Sequence, residues 1–319
     1  MKRPRVSVVT ETITARFDNT TGSLPDDLAT TLHALDRQTY PRELIERVVV
    51  LDEQVAAATA EELGRRYPAV RFVAAPATNY FAAKNAGAEA ATGEIVALLD
   101  SDCEPQPDWL ERLVAPFAEG AEVAAVAGRT RYTGGSWAAR TFSIPDFAYV
   151  HGEQGGEASG FNINNVAFRR EAFLAHRFDE RIPRNGGCYF LYHQMRAAGA
   201  RIVYDPRAVV SHAVDVHGLG FVRKHFERGH DGVVIYRLDE RAVLRGTPFV
   251  RRFGPLALVA LSARRILVDW LRLARHRRQM GVPAITLPYY AAVAVGTRLI
   301  ELAGGMSALA SGRARTGER

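Results

Sequence analysis

Short apolar runs alternate with segments of helical periodicity through the first hundred residues. The runs at 6–10, 47–52, 70–74 and 94–99 predict strands, and the segments between them predict helices, the last at 79–91. These runs are apolar on both faces, which is typical of parallel strands that are covered by helices on both sides. The alternation therefore predicts an α/β fold with a mostly parallel sheet.

The first predicted helix carries clear start signals. Ser23 is a favourable N-cap residue, and Pro25 suits the first helical turn. After it, Leu28, Leu32 and Leu35 recur at the spacing of one helix face, which predicts the side that packs on the sheet.

The middle of the chain, residues 120–240, is less regular. Its predicted elements are strands at 123–128 and 166–170, a helix at 189–198, a short edge strand at 201–204 and a further strand at 209–212. The Gly- and Asn-rich stretch 159–165 and the loop 183–188 interrupt these elements, and both are expected to line a binding site.

From about residue 249 onward, apolar and basic residues separate onto two helix faces. The apolar positions are Leu256, Val259, Ala260, Ala263, Ile266, Leu267, Trp270 and Ala274, and the polar positions are Arg264, Arg265, Asp269, Arg272 and Arg275. Such an amphipathic, Arg-rich helix suits the interface of an anionic membrane. The alternative is that these helices pack on the rest of the chain or on a second copy of it.

The stretch 279–297 contains no charged residue and approaches the length of a membrane span. Pro283 and Pro288 near its start argue against a stable span, so contact with the membrane surface is the preferred interpretation.

Charge is distributed unevenly along the 319 residues. Residues 241–319 hold 14 Arg and 3 acidic residues, a net charge of +11, and residues 1–240 carry −5, which together give the overall +6. We therefore divide the chain into a domain at 1–240 and a basic helical region at 241–319, for which an anionic partner is expected. Nucleic acid is not expected, because aromatic interleaving and a recognition motif are absent from the sequence.

Cysteine usage favours a reducing compartment. Cys103 and Cys188 are far apart in sequence and have no metal-binding spacing. The apolar run after the basic N-terminus is too short for the apolar core of a signal peptide. A cytoplasmic protein is therefore expected, with the basic helices peripheral on the inner face of the cell membrane.

Two carboxylates one residue apart, Asp100 and Asp102, follow the last of the early strands. Side chains alternate along a strand, so both carboxylates fall on one side if the extended conformation continues through Ser101. Mg²⁺ and Mn²⁺ favour such oxygen ligands and commonly share the metal with substrate phosphates. The alternative is that a strand ends here and an ordinary polar loop begins.

Acidic residues also end other strands. Glu11, Asp52 and Asp100 each stand at the carboxyl end of a predicted parallel strand, where ligands bind to such sheets. His212 ends the run at 209–212 in the same way. It is a candidate third metal ligand, although a lone histidine at such a position is also commonly structural.

The segment 79–102 resembles the family 2 glycosyltransferases, which have the GT-A fold. It contains Asn79-Tyr80-Phe81-Ala82-Ala83-Lys84-Asn85-Ala86-Gly87, then Thr92-Gly93-Glu94, and then Asp100-Ser101-Asp102. That order matches the family's pattern of a basic-Asn-x-Gly helix, Ala-x-Gly, a hydrophobic strand and Asp-x-Asp. Similarity at 178–181, and at 198–206 leading to His212, extends the resemblance over about residues 5 to 235.

The resemblance and the strand ends together assign site residues. Nucleotide-sugar binding is expected of Glu11, Asp52, Lys84, Asp100 and Ser101, and metal binding of Asp102 and His212. Within the family pattern, Asp52 matches the acid that contacts the nucleotide base, and Lys84 occupies a basic position from which it could approach the diphosphate. The implied reaction is transfer of a sugar, with Mg²⁺ or Mn²⁺, from a UDP- or GDP-linked donor to a hydroxyl acceptor with inversion. Lipid-linked acceptors such as a polyprenyl carrier or a glycolipid fit the expected membrane contact.

The sequence departs from the family pattern at two places. The first strand ends in Thr10-Glu11-Thr12, where the family commonly has Pro-Thr or Pro-Ala, and the usual catalytic Glu-Asp is replaced by Gly187 and Cys188. An inverting transfer needs a base that takes the acceptor proton. Neither glycine nor a neutral thiol does this well, and a thiolate beside a metal would be unusual.

Three explanations stay open for the missing base. In the first, another residue takes its role, and the candidates are Asp179 and His193, with Glu180 and Asp146 beside them. In the second, the acceptor is acidic enough to need little help from a base. In the third, the protein is a non-catalytic homologue that binds a nucleotide sugar. The joint retention of the metal pair, the base-binding acid and the late histidine favours an enzyme. A soluble transferase acting on a small molecule, with the Arg-rich helices as a dimer interface, is a further alternative.

Overall fold

The computed structural model describes residues 3–12, 24–52, 57–75, 79–133, 155–213, 219–244, 248–278 and 282–311, and the structural statements below concern these residues. The strands are β1 (Val6–Glu11), β2 (Ile45–Asp52), β3 (Val70–Ala75), β4 (Ile95–Asp100), β5 (Cys103–Pro105), β6 (Val123–Thr133), β7 (Gly156–Glu157), β8 (Val166–Arg169) and β9 (Arg201–Ala213). The helices are α1 (Leu24–Asp36), α2 (Ala57–Arg66), α3 (Tyr80–Ala90), α4 (Trp109–Val114), α5 (Arg170–His176), α6 (Gly187–Ala197), α7 (Leu219–Val243), α8 (Phe249–Phe253), α9 (Pro255–His276) and α10 (Leu287–Ala310). The predicted N-cap Ser23 lies outside the described residues.

The strands of the described residues form one sheet with the order β3-β2-β1-β4-β8-β6-β9-β5, and β7 pairs with β9. Pairing is parallel between β1 and β2, β1 and β4, β2 and β3, and β6 and β9, whereas β5, β7 and β8 run antiparallel to their neighbours. The predicted α/β fold with a mostly parallel sheet is confirmed. Because β8 is antiparallel to both β4 and β6, strands β1, β2, β4, β6 and β9 all end at the same edge.

Hydrophobic cores cover both faces of the sheet. On one face, helices α1, α2 and α4 pack against it, and the predicted stripe of Leu28, Leu32 and Leu35 is buried there. On the other face, α3, α5, α6 and α7 pack through residues such as Phe81 and Phe190. The apolar strands therefore have the two-sided cover that their composition predicted.

The prediction of a short edge strand at 201–204 is wrong. Strand β9 is 13 residues long, continues through 209–212 and has β6 and β5 as neighbours. Its register against β6 shifts between the pairs Ala127–Tyr204 and Arg129–Val209, so the residues around Pro206 form an irregular bulge. Proline has no N–H for the ladder, which explains why the sequence pattern separates this strand into two.

The C-terminal helices are joined to the sheet domain through α7, which crosses the predicted boundary at residue 240. Helices α7 and α10 approach each other at glycines. A Cβ at Gly304 would overlap the carbonyl of Phe226, and a Cβ at Gly229 would overlap the carbonyl of Glu301. Only glycine allows two helix backbones to come this close.

Helix α9 exposes much of its predicted apolar stripe and buries Asp269 of its predicted polar face. Leu256 and Leu267 are 75% and 55% exposed, whereas Asp269 is 2% exposed. Among the described residues, every exposed large hydrophobic side chain lies between Leu219 and Leu299. The exposed side of α9 thus carries apolar residues of the predicted stripe together with Arg264 and Arg275. Trp270 of this stripe also donates from Nε1 to the carbonyl of Ala291 on α10 (3.1 Å).

A buried ionic network joins α7, α9 and α10. Arg298 of α10 donates from Nε and Nη2 to the carboxylate of Asp269 (2.7 and 3.2 Å) and from Nη1 to Glu301 (2.6 Å). Glu301 also lies 3.1 Å from Nδ1 of His225 on α7. Buried charges of this kind depend on their partners, so the network fixes the three helices relative to one another.

Helix α10 is mostly apolar but contains two charged side chains. By length and composition, residues 284–310 form the one helix of the described part that could cross a membrane. Arg298 and Glu301 lie in it, and both are buried by contacts with α7 and α9. This side of α10 therefore packs against α7 and α9.

Glu301→Gln is expected to weaken the acid dependence of stability. Burial opposes ionisation of Glu301, but the hydrogen bond to His225 and the charges of Arg298, Arg265 and Arg228 hold its pKa well below the usual range. The unfolded chain takes up a proton near the ordinary pKa of 4.5 while the folded protein stays ionised. This stabilisation is therefore complete above that pH and is lost as the pH falls toward the lowered pKa.

Denaturant unfolding between about pH 6 and about pH 3 measures this effect. The free energy of unfolding of the wild type should fall more steeply with acid than that of the Glu301→Gln variant. Equal slopes for the two proteins would contradict the assigned network.

Candidate functional site

Acidic side chains end three adjacent parallel strands, as predicted. Glu11 ends β1, Asp52 ends β2 and Asp100 ends β4, and Glu11 pairs with Asp100 in the β1–β4 ladder. All three residues are buried. Buried carboxylates need polar or cationic partners, so this edge of the sheet is built for polar chemistry.

The segment between Asp100 and β5 is a turn, so the extended conformation that would place both carboxylates on one side does not continue through Ser101. The hydroxyl of Thr31 on α1 lies 2.7 Å from the carbonyl oxygen of Ser101 and 2.8 Å from that of Cys103, within hydrogen-bonding distance of both. Because the chain turns here, Asp100 and Asp102 have different partners.

Asp100 is held by two residues of α3. Lys84 Nζ donates to Asp100 Oδ1 (2.6 Å) and to the carbonyl of Leu99 (2.8 Å), and the hydroxyl of Tyr80 donates to Asp100 (3.0 Å). Burial, together with the nearby Asp100 charge, raises the pKa of Tyr80 well above its ordinary value, so its hydroxyl remains a donor. Lys84 is fully buried, and the site residue that it contacts is Asp100.

Strand pairing brings Asp102 and His212 together. Cys103 of β5 lies opposite His212 of β9, and Asp102 Oδ2 is 3.0 Å from His212 Nε2. The other ring nitrogen, Nδ1, accepts from Nδ2 of Asn164 (3.2 Å), whose Oδ1 accepts from the hydroxyl of Thr130 (2.9 Å). The imidazole is thus fixed from both sides.

Asp102 and His212 form a hydrogen-bonded pair in which each residue shifts the pKa of the other. Burial would lower the pKa of His212, but the charge and hydrogen bond of Asp102 outweigh it and, with Asp100, raise this pKa, against the opposing charge of Lys224. Burial likewise opposes ionisation of Asp102, but the charge of His212 holds the pKa of this carboxyl below its usual range.

The Asp102–His212 pair fits a divalent cation. One carboxylate oxygen, one imidazole nitrogen and Cys103 Sγ lie within 4.8 Å of one another. Carboxylate and imidazole suit Mn²⁺ or Mg²⁺. Burial and the charges of Asp102 and Asp100 raise the pKa of the Cys103 thiol well above its ordinary value, so it does not supply a thiolate. The Ser101 hydroxyl is buried without a hydrogen-bond partner among the described residues, and a bound ligand would satisfy it.

A cavity of about 260 Å³ opens beside these residues. Asp100 and His212 line it together with the Gly- and Asn-rich residues 160–164 and the loop residues 184–186. Both predicted lining stretches thus meet at one cavity. Residues of α7, α9 and α10 complete its wall, so the C-terminal helices are part of the site.

The positions of the family's catalytic Glu-Asp offer no base here. A Cβ at Gly187 would overlap the ring of Phe81, so a larger side chain does not fit. Burial raises the pKa of Cys188 to about 12, so this thiol stays protonated. Burial therefore disfavours the thiolate alternative.

The two main candidates for a displaced base do not line the cavity. Asp179 accepts from Nε and Nη2 of Arg181 (2.9 and 2.6 Å), and this hydrogen bonding lowers the pKa of Asp179. His193 packs against two tyrosine rings on α6. Glu180 accepts from an asparagine of α3, and Asp146 lies outside the described residues. The structure gives no support to a base role for Asp179 or His193.

Several site residues were not predicted individually. Tyr80 precedes Lys84 by one helical turn, and this spacing was the available signal for a shared face. Lys224 and Arg228 of α7 line the cavity at the same spacing. Asn164 belongs to the predicted lining stretch, but its contact with His212 depends on the sheet and leaves no local pattern.

Gly187→Glu is expected to destabilise the protein rather than to add a base. The new side chain meets the Phe81 ring, and overpacking of this kind costs about 1–3 kcal/mol. Gly232→Ala on α7 is the matched control, because a Cβ there has no atom within 4 Å and helix propensity gains about 1 kcal/mol. Thermal unfolding measures both; a Gly187→Glu protein as stable as the wild type would contradict the packing.

Residues 19–177 match the model of the family described as glycosyl transferase family 2. Among curated relatives, the glucosyl-dolichyl phosphate glucuronosyltransferase of Haloferax volcanii is 30% identical over 146 residues, which cover 40% of this chain and 45% of the relative. The succinoglycan biosynthesis protein ExoM of Rhizobium meliloti is 32% identical over 200 residues, 59% of this chain and 63% of the relative. The chain thus spans less than two thirds of these relatives.

Two solved structures show a similar fold. The mannosyltransferase PcManGT from Pyrobaculum calidifontis, in complex with GDP-Man and Mn²⁺, has a TM-score of 0.64 at 19% identity and covers 98% of this chain and 89% of its own. GalNAc-T7 with UDP, GalNAc and Mn²⁺ has a TM-score of 0.53 at 18% identity and covers 67% and 44%. At these identities the similarity shows the fold, which is the predicted GT-A fold.

Proposed function

The chain belongs to glycosyl transferase family 2, and on that premise we propose that it transfers a sugar from a UDP- or GDP-linked donor to a hydroxyl acceptor with inversion. The observation that carries this proposal is the Asp102–His212 pair at the edge of the sheet where the parallel strands end, with His212 and Asp100 lining a cavity there. Ligands bind to parallel sheets at this edge.

Each residue has a proposed role in donor binding. Asp102 and His212 would hold Mg²⁺ or Mn²⁺, which when bound supplies charge that neutralises the diphosphate leaving group. Asp52 and Asp100 bind the nucleoside, and Lys84 and Tyr80 keep Asp100 in place. The Mn²⁺ in the structures of PcManGT and GalNAc-T7 supports a divalent cofactor.

Glu11 and Ser101 complete the proposed donor site. Glu11 pairs with Asp100 along the ladder, and the Ser101 hydroxyl is available to a ligand at the turn. Their proposed part is to shape the nucleotide-sugar pocket beside the metal.

A lipid-linked acceptor at a membrane surface is the second part of the proposal. Helix α9 exposes Leu256, Leu267 and Trp270, and Arg264 and Arg275 are exposed on the same helix. An apolar face bordered by arginines fits the interface of an anionic membrane. One relative carries a dolichyl phosphate-linked sugar in its name, which supports this acceptor class. The proposed location is the inner face of the cell membrane, reached from the cytoplasm.

Leu267→Ser combined with Trp270→Ser is expected to reduce binding to anionic vesicles at least about tenfold, because burial of these side chains drives insertion. Co-sedimentation with phosphatidylglycerol vesicles measures the effect, with phosphatidylcholine vesicles for comparison. Leu267 is exposed and Trp270 about half-exposed, and the variant removes one hydrogen bond, from Trp270 Nε1 to the carbonyl of Ala291, so the fold is expected to persist. A wild-type protein that does not bind vesicles and forms a stable dimer would contradict membrane contact. It would support the alternative that these helices form a dimer interface in a soluble transferase acting on a small molecule.

Release of UDP or GDP from nucleotide sugars tests the activity. The purified protein is incubated with Mn²⁺, a panel of UDP- and GDP-sugars, and a lipid extract that contains polyprenyl-linked acceptors. Release that requires both metal and extract is the expected result. Nucleotide binding without nucleotide release or sugar transfer would overturn the proposal that the protein is an enzyme.

A non-catalytic nucleotide-sugar-binding protein is the second candidate function. Gly187 without room for a side chain and the protonated Cys188 favour it, because the family's base is missing from both positions. A non-catalytic protein should bind nucleotide without releasing it or transferring a sugar, so the same assay separates the two candidate functions.

A further inference from the structure

The C-terminal helices give the cavity a cationic wall. The charged residues that line the cavity are Arg184, Lys224, Arg228, Arg265 and Arg298, together with the carboxylates of Asp100 and Glu301. Four of the five cations come from α7, α9 and α10, which lie outside the segment matched by the family model. The donor site, by contrast, is built by the strand ends.

Helix α7 turns one face toward the cavity. Lys224, Arg228, Gly232 and Tyr236 follow at intervals of four residues, and all four line the cavity. A Cβ at Gly232 would meet no atom within 4 Å, so there is open space one turn beyond Arg228. Room for a ligand therefore lies beside this arginine.

Arg228 and Arg265 converge from two helices. Arg265 Nη1 lies 3.7 Å from Glu301, and the Arg265 side chain is 39% exposed. Arg228 is half-buried, and its charge also acts on Glu301. Glu301 already has a close partner in Arg298, whose guanidinium is occupied by this carboxylate and Asp269. Arg228 and Arg265 thus bring two positive charges to one part of the cavity wall.

Lys224 marks the other end of this wall. It precedes Arg228 by one turn of α7 and is near enough to His212 for its charge to act on the imidazole. The helix therefore runs from the proposed metal end of the cavity to the arginine pair. An acceptor that enters beside Arg228 and Arg265 would face the donor.

We propose that Arg228 and Arg265 form a phosphate subsite on the acceptor side of the cavity, and that the acceptor carries a phosphate group linked to a lipid chain. This inference rests on the proposed function, because it takes the Asp102–His212 end as the donor site. Guanidinium groups bind phosphate oxygens through paired, charge-assisted hydrogen bonds. Arg265 and the exposed apolar face share helix α9, which favours a lipid phosphate over a soluble one.

Calorimetric binding of geranyl phosphate tests the subsite, with geraniol and inorganic phosphate as comparison ligands. Arg228→Gln or Arg265→Gln is expected to weaken geranyl phosphate at least about tenfold, the effect of losing a charge-assisted hydrogen bond. Arg264→Gln is the matched control, because Arg264 is the exposed neighbour on α9 and does not line the cavity. Gly232→Leu should also weaken binding, since it fills the open space without removing a charge.

Mn²⁺-dependent nucleotide binding is measured on the same preparations, so the two proposals can fail separately. A wild type that binds nucleotide but not geranyl phosphate overturns the subsite and leaves the donor site standing. A wild type that binds geranyl phosphate but no nucleotide overturns the proposed function.

Three other outcomes would also overturn the inference. If Arg228→Gln weakens nucleotide and geranyl phosphate equally, the arginines serve the donor diphosphate. If geraniol binds as tightly as geranyl phosphate, the phosphate is not recognised. If inorganic phosphate binds as tightly as geranyl phosphate, the ligand is a soluble phosphate and not a lipid one.

Discussion

Asp102→Ala is expected to lower the affinity for a nucleotide in the presence of Mn²⁺ by at least about a hundredfold. Asp102 supplies the carboxylate that faces His212, and without it the cluster of Asp102, Cys103 and His212 has lost its oxygen ligand. Thr31 holds the backbone of the turn independently of the Asp102 side chain, so the fold should persist. Calorimetric titration with UDP and GDP, with and without Mn²⁺, measures the loss.

Glu104→Ala is the matched control for this variant. Glu104 lies on the same short strand, but its side chain is exposed and pairs with Arg37 at the surface. It should bind nucleotide as the wild type does. Equal binding by the Asp102→Ala and wild-type proteins would show that the metal site lies elsewhere or that binding needs no metal.

Asp269→Ala should lower the free energy of unfolding by about 3–5 kcal/mol, because it leaves the buried Arg298 without its bidentate partner. Both side chains are almost fully buried, so water cannot replace the lost interaction. Denaturant unfolding measures the change. Loss of the C-terminal packing should also weaken ligand binding in the cavity, because Arg298 lines it.

Two comparison variants test whether the loss of stability comes from the buried ionic network. Combining Asp269→Leu, Arg298→Met and Glu301→Gln removes all three charges of the network and should cost less than Asp269→Ala. Glu227→Ala removes an exposed ion pair with Arg223 and should cost less than about 1 kcal/mol. A cost for Asp269→Ala no greater than that for Glu227→Ala would contradict the buried network.

Much of the site was predictable because it depends on local patterns. Apolar runs fixed the early strands, and Glu11, Asp52 and Asp100 could be placed at one edge because parallel strands end together. His212 could be proposed for the same reason, since it also ends an apolar run. The comparisons then confirmed the family resemblance that the segment 79–102 suggested.

The remaining features depend on contacts between distant residues. The turn at Ser101 and Asp102 is held by Thr31, some 70 positions earlier. Strand β9 appeared as two strands because Pro206 interrupts the pattern, while pairing with β6 keeps it continuous. Asp269 of α9 turns inward because it meets Arg298 of another helix. None of these contacts leaves a signal in a short window of sequence.

The most direct test of the proposed site is a crystal structure with Mn²⁺ and UDP or GDP, with anomalous diffraction recorded at the manganese edge. The predicted result is one anomalous peak within ligand distance of Asp102 and His212, with the nucleotide diphosphate on its open side and the base toward Asp52. A nucleotide bound without manganese at Asp102, or a manganese peak elsewhere in the chain, would contradict the proposed function.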